Sequence, residues 1–447
     1  MQHCWNLISN NPGIERLDFG GRHPSPIGRE SGPDQVFIER LSKVKHLKEL
    51  KNLNIFEPSQ IWELLAAAPT IVSLSIFTSC WRIPDPLPEV NRTLRTLYVD
   101  CLDGVRDVRD ILDLFPNLSH LAVPRGTSYF SYCSKAFCTW QGHFSRLSIQ
   151  SIRSLDVNLN QDWDEVLCQL PNLAELTTDN RLNKPLSLAL IKNCHKLKAI
   201  RLRKIPMCIA DSKESRPVHD PANQLLVSMG HLRVLDSLVS FIHTDEMLRQ
   251  PWACMGLEQL TCRIVGVDRL NESEQLTVDQ VIASGYSGEL SMEQVKAVEK
   301  FDRCQVQQHG VYDRLAKLTR LKHLDLGFEN RDPRICAWDG YLIDGKFHLR
   351  YNGPTFDTLE LSLASGLDRL GALKDLEMIG LECINHRIGR AEVVWMAKSW
   401  PNLNLVYGLD KEKVWAVEPD PTRAELKAYL QQLRPDVMHG TLYHGKS

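Results

Sequence analysis

Phe115-Pro116-Asn117-Leu118-Ser119-His120-Leu121-Ala122-Val123 is the stretch from which the fold of this chain can be read. It has the form Leu-x-x-Leu-x-Val, entered through Pro-Asn. The same frame returns at Pro69-Thr70-Ile71-Val72-Ser73-Leu74-Ser75-Ile76 and at Pro171-Asn172-Leu173-Ala174-Glu175-Leu176. Looser copies start at Leu50, Leu94, Ile152, Leu197, Leu257, Leu321 and Leu373. The last two apolar positions of a copy lie two apart, so they point to one side of a strand. The first, three residues earlier, marks the turn into that strand.

Start to start, the copies at Leu50, Ile71, Leu94 and Leu118 are 21, 23 and 24 residues apart, and those at Ile152, Leu173 and Leu197 are 21 and 24 apart. A unit of that length holds one short strand, one helix and two turns, the size of a leucine-rich repeat. One such unit cannot bury its apolar face alone. Each strand must extend a parallel sheet and each helix must stack on its neighbour. The expected fold is therefore α/β, a leucine-rich-repeat solenoid (horseshoe) with a parallel concave sheet and outer helices.

Residues 1–327 read as that solenoid, with insertions near 125–146 and 264–312. The second insertion is expected to hold a helix from Met292 to Gln308 and a polar segment around Asn271 to Gln275. Residues 328–358 form another insertion, in which Asp344-Gly345 between apolar runs signals a hairpin. Residues 359–410 carry the last repeats. Residues 411–447 are a C-terminal capping helix, with the stripe Leu426, Tyr429, Leu430 and Leu433, and a tail. Helices are also expected at Val36–Leu41, Ile61–Ala66, Val105–Phe115, Leu186–Asn193 and Pro221–Met229, from apolar residues three and four apart.

The chain has 447 residues, 53 basic and 55 acidic, for a formal charge of −2. No global field favours nucleic acid or an anionic membrane. No apolar run reaches the roughly 18 residues of a membrane span, and no secretory signal is visible at the start. Thirteen cysteines are scattered without a Cys-x-x-Cys pair. That pattern suits reduced thiols in cytosol or nucleus.

A search for chemistry returns little. No phosphate-cradling glycine loop, Gly-x-Ser-x-Gly, His-Glu-x-x-His or calcium-loop pattern occurs. Cys133, Cys138 and His143 lack a fourth ligand and standard zinc spacing. The reading is of a non-enzyme with no catalytic residue, metal or cofactor. The repeat geometry points to a surface instead. Residues flanking the buried leucines face the concave side. The column six after the first Leu includes Phe56, Phe77, Asp100, Asp179 and Arg203; the column four after it includes Asn54, Ser75, Tyr98, Asp156 and Arg201. Aromatic residues and arginines anchor protein interfaces. Phe56, Phe77 and Tyr98, with Asp100, Asp156, Asp179, Arg201 and Arg203 around them, are the candidate partner-binding residues.

The C-terminal third adds a resemblance. Phe328-Glu329-Asn330-Arg331-Asp332-Pro333-Arg334, Leu349-Arg350-Tyr351-Asn352-Gly353-Pro354-Thr355-Phe356-Asp357 and Leu363-Ala364-Ser365-Gly366-Leu367-Asp368-Arg369-Leu370 resemble a family of fungal F-box/leucine-rich-repeat proteins. His386-Arg387-Ile388-Gly389-Arg390, Trp395-Met396-Ala397-Lys398-Ser399-Trp400-Pro401 and Leu433-Arg434-Pro435-Asp436-Val437 are similar to it as well. The resemblance covers roughly residues 320 to 440. It implies a substrate-recognition arm: an N-terminal F-box docks a Skp-type adaptor of a cullin ubiquitin ligase, and the repeats hold the protein to be degraded. No Leu-Pro-x-Glu-type helical segment precedes Trp5. A Skp-type partner is thus expected only if an F-box lies upstream. Two rivals stand beside this reading: a free-standing interaction scaffold unrelated to ubiquitin, and a nucleic-acid-associated repeat protein using Arg201, Arg203 and Arg263.

Overall fold

The computed structural model describes residues 8, 10–19, 35–55, 58–78, 89–99, 108–123, 150–156, 167–178, 182–202, 221–285, 289–327, 341–343, 346–348, 358–381, 384, 386–409 and 421–440. The chain divides into two compact units, Met1–Asn180 with Leu188–Leu197, and Arg181–Ser187 with Lys198–Ser447.

The first unit carries strands β1 (Arg16–Asp18), β2 (Glu49–Ile55), β3 (Ser73–Thr78), β4 (Thr96–Val99), β5 (His120–Ala122), β6 (Ser154–Asp156) and β7 (Glu175–Thr178). Each pairs parallel with the next in chain order. The second unit carries β8 (Ala199–Leu202), β9 (Val234–His243), β10 (Gln259–Val265), β11 (His323–Asp325), the hairpin β12 (Tyr341–Ile343) and β13 (Lys346–His348), then β14 (Met378–Gly380), β15 (Leu405–Tyr407) and β16 (Met438–Gly440). The hairpin is antiparallel, and the other strands pair parallel in chain order. Parallel neighbours require a crossover between them. Helices such as Pro58–Ala67, Val108–Leu114 and Arg390–Ser399 serve as crossovers. This is the α/β architecture of a leucine-rich-repeat solenoid. No helix among the described residues is long and apolar enough to cross a membrane.

Local chemistry explains the repeat. The Leu118 N–H donates to the Phe115 carbonyl at 3.0 Å, the Leu173 N–H to Leu170 at 3.0 Å and the Leu403 N–H to Trp400 at 3.2 Å. Each is a four-residue turn with Pro116, Pro171 or Pro401 at its second position, where a fixed φ suits it. The Asn that follows ties its unit to the one before. Asn117 Nδ2 donates to the Arg92 carbonyl at 2.8 Å, Asn172 to Gln150 at 2.9 Å and Asn402 to Lys374 at 3.0 Å. Thr70 and Thr93 do the same work with a hydroxyl, donating to Leu47 and Pro69. After the turn, one carbonyl of each unit accepts two N–H groups of the next. Arg95 O takes Ser119 N at 2.8 Å and His120 N at 3.0 Å; Glu377 O takes Asn404 N at 2.9 Å and Leu405 N at 3.1 Å. The second Leu of each copy then falls into one buried row. Leu50, Leu74, Leu97, Leu121, Leu155 and Leu176 lie in register, none more than 1% exposed.

That register corrects two copies. Leu50, not Leu53, pairs with Leu74, so the first copy begins at Leu47, 24 residues before Ile71. Asn52 takes the left-handed conformation, φ 57°, and the ladder shifts between Leu50 and Leu53. The bulge makes Leu53-x-Ile55 look like the end of a repeat. Likewise Leu324 pairs with Ile379. Leu373 is the turn acceptor for Leu376 N–H at 3.2 Å, and the copy begins at Leu376. Strand β9 escaped the motif. Leu232-x-x-Leu235 enters β9, but the third apolar place is Ser237, buried and hydrogen-bonded to Ser240.

The span between β10 and β11 holds two helices, Glu272–Ala283 and Met292–Ala316. The expected polar segment at Asn271–Gln275 is the start of the first. Asn271 and Glu274 make a reciprocal capping box, as do Ser291 and Gln294 on the second. That pattern is a sequence signal for a helix N-terminus. The second helix runs eight residues past Gln308, to Ala316, because Val311, Tyr312 and Leu315 are buried in the same stripe.

The helix Pro421–Leu433 is followed by one more strand, β16, on β15. Arg434 fixes that passage. Its guanidinium donates to the carbonyls of Ala397 and Trp400 at 3.4 Å and of Pro401 and Leu403 at 3.0 Å, and pairs with Asp436 at 2.7 Å. Asp436 strengthens the guanidinium's hold on its proton and is itself held below the usual carboxylate range. Arg434→Ala removes a guanidinium donor from four carbonyls. It is expected to destabilise the chain by about 2–3 kcal/mol, against about 1 kcal/mol for Asn402→Ala, as read from urea unfolding.

Candidate functional site

In the first unit the sheet has one covered face and one open face. The leucine row is buried, and the residues on either side of it along each strand point the other way. Two rows follow from the pairing. Arg16, Glu49, Ser73, Thr96, His120, Ser154 and Glu175 form one; Ser75, Tyr98, Ala122, Asp156 and Thr177 form the other, and Asp18 pairs with Lys51 ahead of the bulge at Asn52. All fourteen are exposed or half-buried.

Of the expected partner-binding residues, Phe77, Tyr98 and Asp156 lie on this face. The Phe77 and Tyr98 rings meet edge to face, with centroids 6.1 Å apart and planes at 75°. Such a pair is worth about 0.5–1.5 kcal/mol beyond its buried area. It holds both rings in place, each half-buried. Tyr98 and Asp156 share a row, with Ala122 between them. At about 4.8 Å per strand they are roughly 10 Å apart. Phe77 pairs in register with Asn54, and Ser75 with Tyr98. The column that set Asn54 beside Ser75 is therefore corrected, for the same bulge at Asn52. Arg201 belongs to the second unit, where it pairs with Asp236. Phe56, Asp100, Asp179 and Arg203 lie outside the described residues, as do Cys133, Cys138 and His143.

The motif columns missed the row through Ser73, Thr96, His120 and Ser154. The same alternation would have found it, two residues after the first Leu instead of four. Its members add hydroxyl and imidazole groups beside the aromatic pair, and Ser119 Oγ sits 2.8 Å from His120 Nδ1. At one side of the unit the face turns charged. Arg16 and Lys51 pair with Glu49 at 3.6 and 3.3 Å, and Asn52 Nδ2 donates to Asp18 at 2.7 Å.

The second unit differs. Its matching row runs Arg201, Asp236, Thr261, Asp325, Gly380 and Tyr407. Thr261, Asp325 and Gly380 are buried. Asp325 accepts the Gly327 N–H at 3.0 Å and leans across Gly380, where an added Cβ would lie 2.2 Å from its Oδ1. The first unit thus leaves an aromatic pair half-buried on its face, where the second unit buries much of its row.

Buried cysteines of the solenoid wall take no part in such a surface. Burial pushes the thiols of Cys194 and Cys254 up to about 12, so both stay protonated and unreactive near neutral pH.

No known protein-family model matches the chain, and no curated protein matches it in sequence.

Two outcomes are expected. Gly380→Ala lowers stability by about 1–3 kcal/mol through overpacking against Asp325, measured by urea unfolding. Iodoacetamide labelling of the native chain at pH 7.5, followed by peptide mass spectrometry, leaves Cys194 and Cys254 unmodified until denaturant is added.

Proposed function

We propose that this chain is a non-catalytic protein-binding scaffold that holds its partner on the open sheet face of the first unit. The observation that carries this reading is the Phe77–Tyr98 pair, half-buried and braced ring on ring at 6.1 Å among serine, threonine and histidine side chains. Rigid aromatic residues ringed by small polar groups are the usual anchors of protein interfaces. A face built this way lowers the ordering cost of binding, since the rings are already fixed. Asp156, in the Tyr98 row, adds a charge at the rim, where it serves orientation more than affinity.

The finer reading is a substrate-recognition arm of an F-box-type ubiquitin ligase receptor. It is supported by the resemblance of residues 320 to 440 to fungal F-box/leucine-rich-repeat proteins. Arg434 and Asp436, in the last of the matching segments, form the clasp described above. A Skp-type adaptor belongs to this reading only if an F-box lies upstream, and the bound protein is then the one to be degraded.

Crosslinking and affinity capture from cells, with the transcript extended upstream of Met1, tests both levels. A protein partner captured by the wild type and lost from both Phe77→Ala and Tyr98→Ala, with unchanged circular dichroism, is the expected result. Each substitution should weaken capture at least tenfold, as interface anchors do. Equal capture by the variants would remove the face from consideration. A Skp-type adaptor in the same capture supports the ligase reading, and its absence from the extended product favours a scaffold unrelated to ubiquitin.

A further inference from the structure

A charge pattern runs along the turns that lead into the strands of the first unit. Each copy of the motif brings three side chains to that edge, the two before its first Leu or Ile and the one after it. In the copies at Ile14, Leu47, Ile71, Leu94, Leu118, Ile152, Leu173 and Leu197, the residues at these places are exposed or half-buried. The copies alternate. Those at Ile14, Ile71, Leu118 and Leu173 carry Pro12, Pro69, Pro116 and Pro171 there, and no cation. The copies between them carry Lys45 and Lys48, then Arg92 and Arg95, then Arg153, then Lys196. Lys48, Arg95 and Arg153 come just ahead of β2, β4 and β6, so the basic turns are two strands apart, about 10 Å.

Little neutralises these cations. Glu15 is the one carboxylate at these places, and it pairs with Lys48 at 2.9 Å. Arg95 donates to the Asn117 carbonyl at 3.3 Å and Lys196 to Asn172 Oδ1 at 2.7 Å, both neutral acceptors. Among the described residues, Lys45, Arg92, Arg95, Arg153 and Lys196 make no ion pair. Flanking charges do not reverse the balance. Glu89, Asp113 and Glu175 stand near the turns, but so do Lys43 and Lys192, and Glu49 is shared by Arg16 and Lys51 at 3.6 and 3.3 Å. The formal charge of −2 for the whole chain hides this local bias.

The edge also lacks apolar anchors. No Phe, Tyr, Trp, Leu, Ile or Met occurs at these places. A protein partner draws on such anchors. A phosphate backbone needs only spaced cations and donors. Without aromatic rings there is no platform on which single bases could stack, and a duplex offers the denser row of phosphates.

We propose that this turn edge binds the phosphate backbone of double-stranded nucleic acid without reading its sequence. The edge shares no residue with the partner face, so each stands or falls by its own measurement.

Fluorescence anisotropy of a labelled DNA duplex of about 20 base pairs, titrated with the full chain at 50 and 200 mM KCl, tests it. Saturable binding in the micromolar range is expected at the lower salt. Contact with about four phosphates gives a slope near −3.6 of log affinity against log salt, roughly a hundredfold loss between the two conditions. Arg92→Gln with Arg153→Gln, at two exposed positions, should weaken binding at least tenfold at the lower salt and reduce the slope by about 1.8, with the circular dichroism spectrum unchanged. Lys296→Gln with Lys398→Gln, exposed cations of the second unit, should change binding less than about threefold. Unlabelled duplex should displace the probe at least tenfold better than poly-L-glutamate of equal charge. No saturation up to about 100 μM, an affinity indifferent to salt, or an equal loss in the second-unit variant would each overturn the proposal. So would poly-L-glutamate competing as well as the duplex, which would assign the edge to an acidic protein.

Discussion

One carbonyl oxygen per unit, accepting two N–H groups from the unit that follows, is the constraint on which the rest of this structure depends. Arg95 does this for Ser119 and His120, Lys198 for Arg233 and Val234, and Lys322 for Glu377 and Met378. The double bond fixes where each strand begins against its neighbour. Once that point is set, the second Leu of every copy must fall in the buried row, because side chains alternate along a strand and a slip of one residue would turn the row outward. Hydrogen bonding thus sets the register, and burial of the leucines makes any other register costly. Asn117, Asn172 and Asn402 reinforce the same junction from their side chains.

The open face follows as a consequence. A strand that buries every second residue must present the others on its opposite side. In the first unit those residues stay exposed or half-buried, and two of them are the aromatic rings of Phe77 and Tyr98. In the second unit the same rows contain Thr261, Asp325 and Gly380, all buried. One repeat rule therefore yields two different surfaces, and the side chains outside the rule decide which one stays open. The helical insertion between β10 and β11 uses another logic. It is held by capping boxes and by the buried stripe of the Met292–Ala316 helix, and it contributes to a cavity of mixed charge and apolar character.

Much of this was legible in the residues. Pro-Asn-Leu at 116–118, 171–173 and 401–403 marks turns, and the Leu-x-x-Leu spacing marks strands, because both report local geometry. Phe77 and Tyr98 were found the same way, by counting from the motif. The frame failed where local geometry broke it. Asn52, in a left-handed conformation, inserts a bulge that the apolar pattern conceals. At Ser237 a polar residue is buried because Ser240 bonds it, so composition there gives the wrong sign. Asn271-x-x-Glu274 was readable as a helix start and shows that capping chemistry carries information when apolar periodicity is weak.

By itself, the sequence determined the class of fold and most of the buried row, since each follows from side-chain spacing within about two dozen residues. Only the tertiary structure decided which copies are in register, that Phe77 and Tyr98 brace each other across neighbouring strands, and that Arg269, Glu360 and Arg387 line one cavity. Those last three are separated by 91 and 27 residues along the chain. No periodic pattern connects them. Their meeting depends on how an insertion packs, and packing is set by the fit of whole surfaces, which no local spacing encodes.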